Sequence, residues 1–174
     1  YDTQLAAGFL GYSTPSLVSL LQASRYVEDG PFQAQFCGGT LTTPTTVVTA
    51  AHCLVDEKTG DQRPASSLLV GLGPNLRDPA LRVVEVSRVF VNPAYTRRTA
   101  VNDIAVLTLA TPVTDVVTLR PVSPDEAPAL TSPGSLVEVV GWGNTSTSSK
   151  QFPDVFRVGR LVVFPDSSCG GGRQ

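Results

Sequence analysis

The stretch of sequence that decides the fold is residues 47–53, which read Val-Val-Thr-Ala-Ala-His-Cys. The β-branched residues at its start favour a strand, and the small residues that follow lead the chain into a turn bearing His52 and Cys53. A second cysteine, Cys37, opens the upstream sequence CGGTL. A bridge between Cys37 and Cys53 would close a loop whose entropy in the unfolded chain is worth about 3 kcal/mol. It would also hold the turn that bears His52, as a positioned base requires.

Two residues are candidates for catalysis, and each has a structural alternative. His52 is the only histidine of the chain, and a single histidine is more often a surface or hydrogen-bonded structural residue; the strand, the small-residue turn and the adjacent cysteines favour a catalytic role. Asp103 precedes the apolar run at 104–109. An Asp in that place is by default a turn or cap residue, but it could also orient an imidazole. The sequence leaves both alternatives open.

Short runs rich in Val, Thr and Leu recur along the whole chain. They are separated by the 15 glycines and 14 prolines, a spacing typical of an all-β sandwich or barrel, whereas helical periodicity is scarce. The sequence therefore predicts a multi-stranded all-β fold. The predicted strands are residues 17–21, 33–36, 39–41, 46–49, 67–72, 82–92, 104–109, 136–142 and 157–164.

A proline-rich segment at residues 111–133 divides these strands into two groups. Its composition is typical of a connector, so we expect a first domain at residues 1–117, which carries His52 and Asp103, and a second at 118–174. The first domain has enough strands to close a small barrel. The second has two or three, which would leave strand edges unpaired, and we expect it to be incomplete.

The composition excludes several classes of partner. Thirteen Lys and Arg against 15 Asp and Glu give a net charge of -2, which provides no basic surface for nucleic acid or an anionic membrane. No apolar stretch approaches the length of a membrane span. The sequence has no Met, so we expect Tyr1 to follow a removed leader or a truncation. Three cysteines leave one without a partner inside the chain.

Five short motifs resemble those of trypsin-like (chymotrypsin-family) serine proteases, in the same order and at about the same spacing. They are CGGTL at 37–41, VTAAHC at 48–53, NPAY at 92–95, NDIA at 102–105 and GWGNT at 141–145. The segment PSLVSL at 15–20 also resembles a strand of that family. The similarity runs from near the start of the chain to its end, and the agreement of five separate motifs makes it specific.

The resemblance implies two antiparallel six-stranded β-barrels with an active site in the cleft between them. His52 would serve as general base and then general acid, and Asp103 would hold its Nδ1–H. A serine from the second barrel would attack the carbonyl of a polypeptide substrate. The resemblance also implies a Cys37–Cys53 disulfide and secretion. We expect no cofactor and no metal, since one His and three Cys, two of them in a bridge, cannot build a metal cluster.

The sequence departs from the family at the nucleophile. The hexapeptide Gly-Asp-Ser-Gly-Gly-Pro does not occur in it, and for a domain of the family's usual size the spacing puts the serine roughly 20 residues beyond Gln174. Ser167 is not a substitute, because it lies only 64 residues after Asp103. Cys169 matches a family cysteine whose partner comes downstream. We therefore expect Cys169 to be unpaired within this chain and to link it to a carboxy-terminal companion segment.

The amino end also departs, since the family's activating Ile-Val-Gly-Gly is absent and the nearest match is LAAG at residues 5–8. Activation would then differ, or the chain would be zymogen-like or non-catalytic. The leading hypothesis is a secreted serine endopeptidase to which this chain contributes His52 and Asp103. The alternative is an inactive pseudoprotease that acts as a binding or regulatory protein. The presence of both His52 and Asp103 favours the enzyme.

Overall fold

The computed structural model describes residues 15–56 and 58–168. These residues form eight β-strands, three α-helices and two 3₁₀ turns at Ala65–Ser67 and Asp166–Ser168. The strands are β1 (Leu17–Gln22), β2 (Gln35–Thr43), β3 (Thr46–Thr49), β4 (Leu68–Leu72), β5 (Arg82–Val91), β6 (Ala105–Leu109), β7 (Leu136–Gly141) and β8 (Arg157–Val162). The helices are α1 (Ala23–Ala34), α2 (Ala51–Leu54) and α3 (Ala127–Leu130).

Six of the strands form a closed antiparallel barrel in the order β1-β2-β3-β6-β5-β4. The remaining two, β7 and β8, form a separate antiparallel sheet. The all-β prediction is therefore confirmed, with one closed barrel and a partial second sheet. The described residues divide into two compact units, one within residues 13–120 and one within 121–174. The division into domains at 1–117 and 118–174 stays a prediction.

Alternating apolar side chains fill the barrel. On β6 the buried residues are Ala105, Leu107 and Leu109, and Leu107 is opposite Val47 of β3. Because successive side chains of a strand point to opposite faces, this alternation turns one face of β6 into the core. The fully buried side chains of the barrel unit include Val18, Leu20, Leu41, Val47, Leu54, Val70, Leu107 and Val113.

Two predictions about the region before β3 are wrong. The sequence showed no helix there, yet α1 occupies Ala23–Ala34; Gly30, at φ 79°, kinks it, and Pro31 follows. Gly and Pro inside a helix are unfavourable, which hid the helical pattern. The predicted strands 33–36 and 39–41 are one strand, β2, with residues 33 and 34 in the helix. The predicted break at residues 37 and 38 does not exist, because both residues pair with β1.

Gly39 belongs inside β2 because β3 approaches it too closely for a side chain. A Cβ at Gly39 would lie 2.7 Å from Cγ1 of Val47 and 3.0 Å from the carbonyl oxygen of Val48. We expect Gly39→Ala to lower the free energy of unfolding by about 1–3 kcal/mol through overpacking. Gly38→Ala is the matched control, since its Cβ would meet nothing closer than 3.6 Å. Urea unfolding of the two variants tests this, and equal midpoints would refute the steric explanation.

The second unit leaves large apolar side chains accessible to solvent. Exposed fractions reach 73% at Leu136 and 63% at Phe164. The same unit contains an edge-to-face contact between Trp142 and Phe156, whose ring centroids are 6.0 Å apart.

Among the described helices, none has the length and apolar character needed to cross a membrane.

Candidate active site

His52 lies on α2, the short helix that follows β3. The other three residues of α2, namely Ala51, Cys53 and Leu54, are buried in the barrel core. The four side chains of a single helical turn point in different directions around its axis. Because the other three point into the core, the imidazole of His52 points away from it, toward the surface. The side chain of His52 is 61% exposed. The local sequence therefore presents the ring to solvent while anchoring its backbone.

Two ties hold the end of β3 and the start of α2 against β2. A disulfide joins Cys37 of β2 to Cys53, with the Cα atoms 6.2 Å apart. The hydroxyl of Thr49, which is buried, donates a hydrogen bond of 2.8 Å to the carbonyl of Gly38. Because these ties flank His52 in the chain, the backbone that carries the imidazole is fixed on both sides.

The sheet register brings Asp103 to His52. Strand β6 pairs with β3 so that Ala105 is opposite Thr49, which places the residues just before β6 beside the residues just after β3. Oδ2 of Asp103 lies 2.7 Å from Nδ1 of His52, and Oδ1 accepts a 2.8 Å hydrogen bond from the backbone N–H of His52. One carboxylate thus engages both the ring and the backbone of the histidine. Of the two alternatives that the sequence left open, Asp103 has the geometry of an imidazole partner.

The surroundings of Asp103 keep its carboxyl ionised. Partial burial raises its pKa, but the hydrogen bonds from the ring and the backbone N–H of His52 outweigh that effect, so the pKa of Asp103 is below its usual range. An ionised carboxylate only accepts hydrogen bonds. The imidazole of His52, when neutral, therefore carries its hydrogen on Nδ1, which leaves the lone pair of Nε2 to act as a base.

A shallow cavity of about 210 Å³ adjoins the imidazole. Apart from His52 and Asp103, its lining residues were not assigned to the site from the sequence, although the motif at 92–95 contained a signal for one of them, Tyr95. The cavity is lined by His52, Val55, Tyr95, Arg97, Ala100 and Asp103. A base at the edge of a concave surface can reach a molecule held there.

The same region contains a cluster that resembles a metal site but lacks the ligands for one. Ligand atoms of Cys37, His52 and Cys53 lie within 4.8 Å of one another, and no other such cluster occurs in residues 15–56 and 58–168. Both sulfurs are consumed in the disulfide. Metal binding by cysteine requires the thiolate, so these residues do not hold an ion together.

Ser167, which the sequence analysis rejected as the nucleophile, lies in the second unit. Ser167 is an exposed residue of the 3₁₀ turn Asp166–Ser168. Cys169 and the segment at residues 5–8 lie outside the described residues.

The lowered pKa of Asp103 predicts how the free energy of unfolding changes at acid pH. A carboxyl whose pKa falls on folding stabilises the fold above its unfolded pKa, about 3.9 for Asp, and this contribution is lost as the pH falls through the folded pKa. We expect Asp103→Asn to flatten the acid limb of the pH dependence of the unfolding free energy. Urea titrations between about pH 6 and pH 2 measure it. An acid limb of unchanged steepness in the variant would contradict the prediction.

Comparison with known proteins places this chain in a family. The trypsin family model matches residues 11–173. A trypsin from Saccharopolyspora erythraea is 34% identical over 151 residues, which cover 82% of this chain and 63% of that protein. Kallikrein-14 of Homo sapiens is 34% identical over 143 residues, covering 80% of this chain and 49% of the relative. For trypsin-3 of Salmo salar the identity is 32% over 137 residues, covering 77% and 52%.

The chain belongs to the trypsin family. The resemblance identified from the five motifs is thereby confirmed, and the family is one of serine proteases, which are hydrolases of peptide bonds. The chain spans about half to 63% of the length of these relatives.

Proposed function

We propose that this chain is part of a secreted serine endopeptidase in which His52 and Asp103 are two members of a Ser-His-Asp triad. The observation that carries the proposal is the double engagement of His52 by one carboxylate, at 2.7 Å to Nδ1 and 2.8 Å to the backbone N–H. A structural turn or cap would satisfy the backbone N–H alone. Contact with the ring nitrogen as well fits a carboxylate that orients a base.

In the proposed mechanism, His52 moves the proton twice. Its Nε2 accepts the proton of a serine Oγ as that oxygen attacks the peptide carbonyl, and then delivers it to the leaving amine. Asp103 fixes the Nδ1–H tautomer and stabilises the imidazolium that forms after the first transfer. The disulfide and the Thr49 hydrogen bond keep the ring in place, which matters because general base catalysis requires hydrogen-bond reach.

The proposed nucleophile is a serine on a separate or further segment. Gly-Asp-Ser-Gly-Gly-Pro is absent from residues 1–174, and the matched relatives extend over more residues than this chain covers. In this proposal β7 and β8 begin a second six-stranded barrel that the further segment completes. The exposed side chains of Leu136 and Val162 support it, because they lie opposite each other on this two-stranded sheet, and adjacent exposed apolar side chains mark a surface that a further element covers.

We propose that polypeptides are the substrates and that the segment bearing the serine is a companion linked through Cys169. Secretion fits the disulfide between Cys37 and Cys53, since such bridges persist in oxidising compartments and are rare in the cytosol. The active site needs no cofactor in this mechanism, because proton transfer and nucleophilic attack are carried out by side chains.

The test is labelling of the native protein with a fluorophosphonate, which reacts with activated serines, followed by mass analysis before and after reduction of disulfides. We expect the label on a second, smaller segment that is released from the 18.3 kDa chain on reduction. His52→Ala should abolish labelling, because the serine would lose its base.

Asp154→Asn, a change in the second unit, serves as the control variant and should label normally. Absence of label from folded native protein would overturn the proposal and favour an inactive relative that binds or regulates. A single 18.3 kDa species before and after reduction would overturn the companion segment.

A further inference from the structure

The segment immediately before Asp103 has an unusual backbone. Among the described residues, only Ala100 and Asn102 combine a side chain with a positive φ, at 53° and 58°. L-residues avoid this left-handed region, and Asn tolerates it better than most others. Two such residues within three positions of the carboxylate indicate that the path of the chain there is imposed by its surroundings.

The side chain of Asn102 connects this segment to a neighbouring turn. Its Nδ2 donates a 3.0 Å hydrogen bond to the carbonyl of Ala94. That turn is itself held by Asn92, whose Oδ1 accepts from the N–H of Ala94 at 2.9 Å and whose carbonyl accepts from the N–H of Tyr95 at 2.9 Å. Asn102 is therefore tied to a turn with a fixed geometry, and it is not an isolated surface amide.

The backbone of Asn102 also closes a turn around Asp103. The N–H of Ile104 donates to the carbonyl of Asn102 at 2.8 Å, so Asp103 is the central residue of a three-residue turn. Asn102 thus fixes the turn through its backbone and anchors it through its side chain. The carboxylate at the centre must meet two donors of His52 at 2.7 and 2.8 Å, a requirement that a loosely held turn would not satisfy.

We propose that Asn102 is a positioning residue: by anchoring the turn to Ala94 it aims the carboxylate of Asp103 at His52 and so determines which nitrogen of the imidazole carries the hydrogen. This inference rests on the proposed function for its catalytic consequence. The anchoring itself is a property of this chain alone and can be measured without a substrate.

The variants separate the two contributions of Asn102. Asn102→Gly keeps the freedom to adopt a positive φ but removes the hydrogen bond to Ala94, whereas Asn102→Ala removes both. Ala100→Gly is the matched control, because it changes the other left-handed position without touching the anchor. His52 is the only histidine of the 174 residues, so the imidazole ¹⁵N resonances of the chain are assigned without ambiguity.

The readout is the tautomer of the neutral imidazole, from ¹⁵N chemical shifts in mildly alkaline solution. We expect the native chain and Ala100→Gly to hold the Nδ1–H form, and Asn102→Gly and Asn102→Ala to show a mixture with the Nε2–H form. A purely structural role would shift the urea midpoint and leave the tautomer unchanged. In the complete enzyme we expect Asn102→Gly to lower kcat by roughly 10-fold to 100-fold, with KM changed little.

The outcomes distinguish the two proposals. A native chain with the Nδ1–H form and an Asn102→Gly variant with the same form would overturn the positioning role and leave the proposed function standing. If the native chain does not show the Nδ1–H form, the hydrogen bond between the His52 ring and Asp103 is absent, and both proposals are overturned.

Discussion

Replacement of Asp103 by Asn is expected to reduce the kcat of the proposed endopeptidase by about 10⁴-fold, the loss that this substitution causes in serine proteases with the same triad. The amide keeps the size of the carboxylate but can offer a donor where Asp103 only accepts. Its oxygen still accepts from the backbone N–H of His52, so the fold around His52 is retained. The imidazole is then free to turn to the Nε2–H tautomer, in which the nitrogen facing the substrate has no lone pair.

The control for this change is Asp115→Asn. Asp115 is also a hydrogen-bonded carboxylate with a lowered pKa, which is held down chiefly by a hydrogen bond from Arg82 at 2.6 Å. It is exposed and does not contact His52, so the control loses the same charge with no effect on the imidazole. We expect normal kcat and an unchanged tautomer in Asp115→Asn. A loss of similar size in both variants, or a fall of less than about 10-fold in Asp103→Asn, would count against the orienting role.

Local sequence predicted the strands best where hydrophobic pattern and packing agree. Strand β3 has the bounds predicted for it, Thr46–Thr49, because its β-branched residues suit a half-buried strand. Strand β2 was divided wrongly at residues 37 and 38. Within it, the close approach of Val47 and Val48 selects glycine at position 39. Such an approach is a tertiary contact, and the residues that neighbour Gly39 in the sequence do not predict it.

The site shows the same division between local and tertiary information. The motif around His52 indicated a positioned imidazole, and the motif around Asp103 indicated a turn or a partner. Their contact depends on the register between β3 and β6, which lie far apart in the chain. The role of Asn102 depends on a positive φ and on one hydrogen bond to a distant carbonyl. The propensity of Asn allows a left-handed backbone at residue 102, but it carries no information about the hydrogen bond to Ala94.

Removal of the Cys37–Cys53 bridge by the double change Cys37→Ala and Cys53→Ala is expected to lower the free energy of unfolding of the barrel unit by about 3 kcal/mol. The bridge joins residues 16 apart, and the chain without it regains the entropy of that loop in the unfolded state. Since a domain of this size is stable by only about 5–15 kcal/mol, the loss is a large fraction of the total.

The bridge also bears directly on His52, which adjoins Cys53 in α2. Once the bridge is gone, the hydrogen bond from Thr49 to Gly38 still holds the end of β3, but the far side of the imidazole-bearing turn loses its covalent tie. We therefore expect the Nδ1–H tautomer of His52 to be less populated as well as the barrel less stable. Urea unfolding followed by far-ultraviolet circular dichroism measures the stability, with Ser66→Ala, a change at an exposed residue of the barrel unit, as the control that leaves this bridge intact. If the double variant unfolded within about 0.5 kcal/mol of that control, the range of ordinary surface substitutions, the bridge would be dispensable, and the positioning of His52 would have to come from β3 and Asp103 alone.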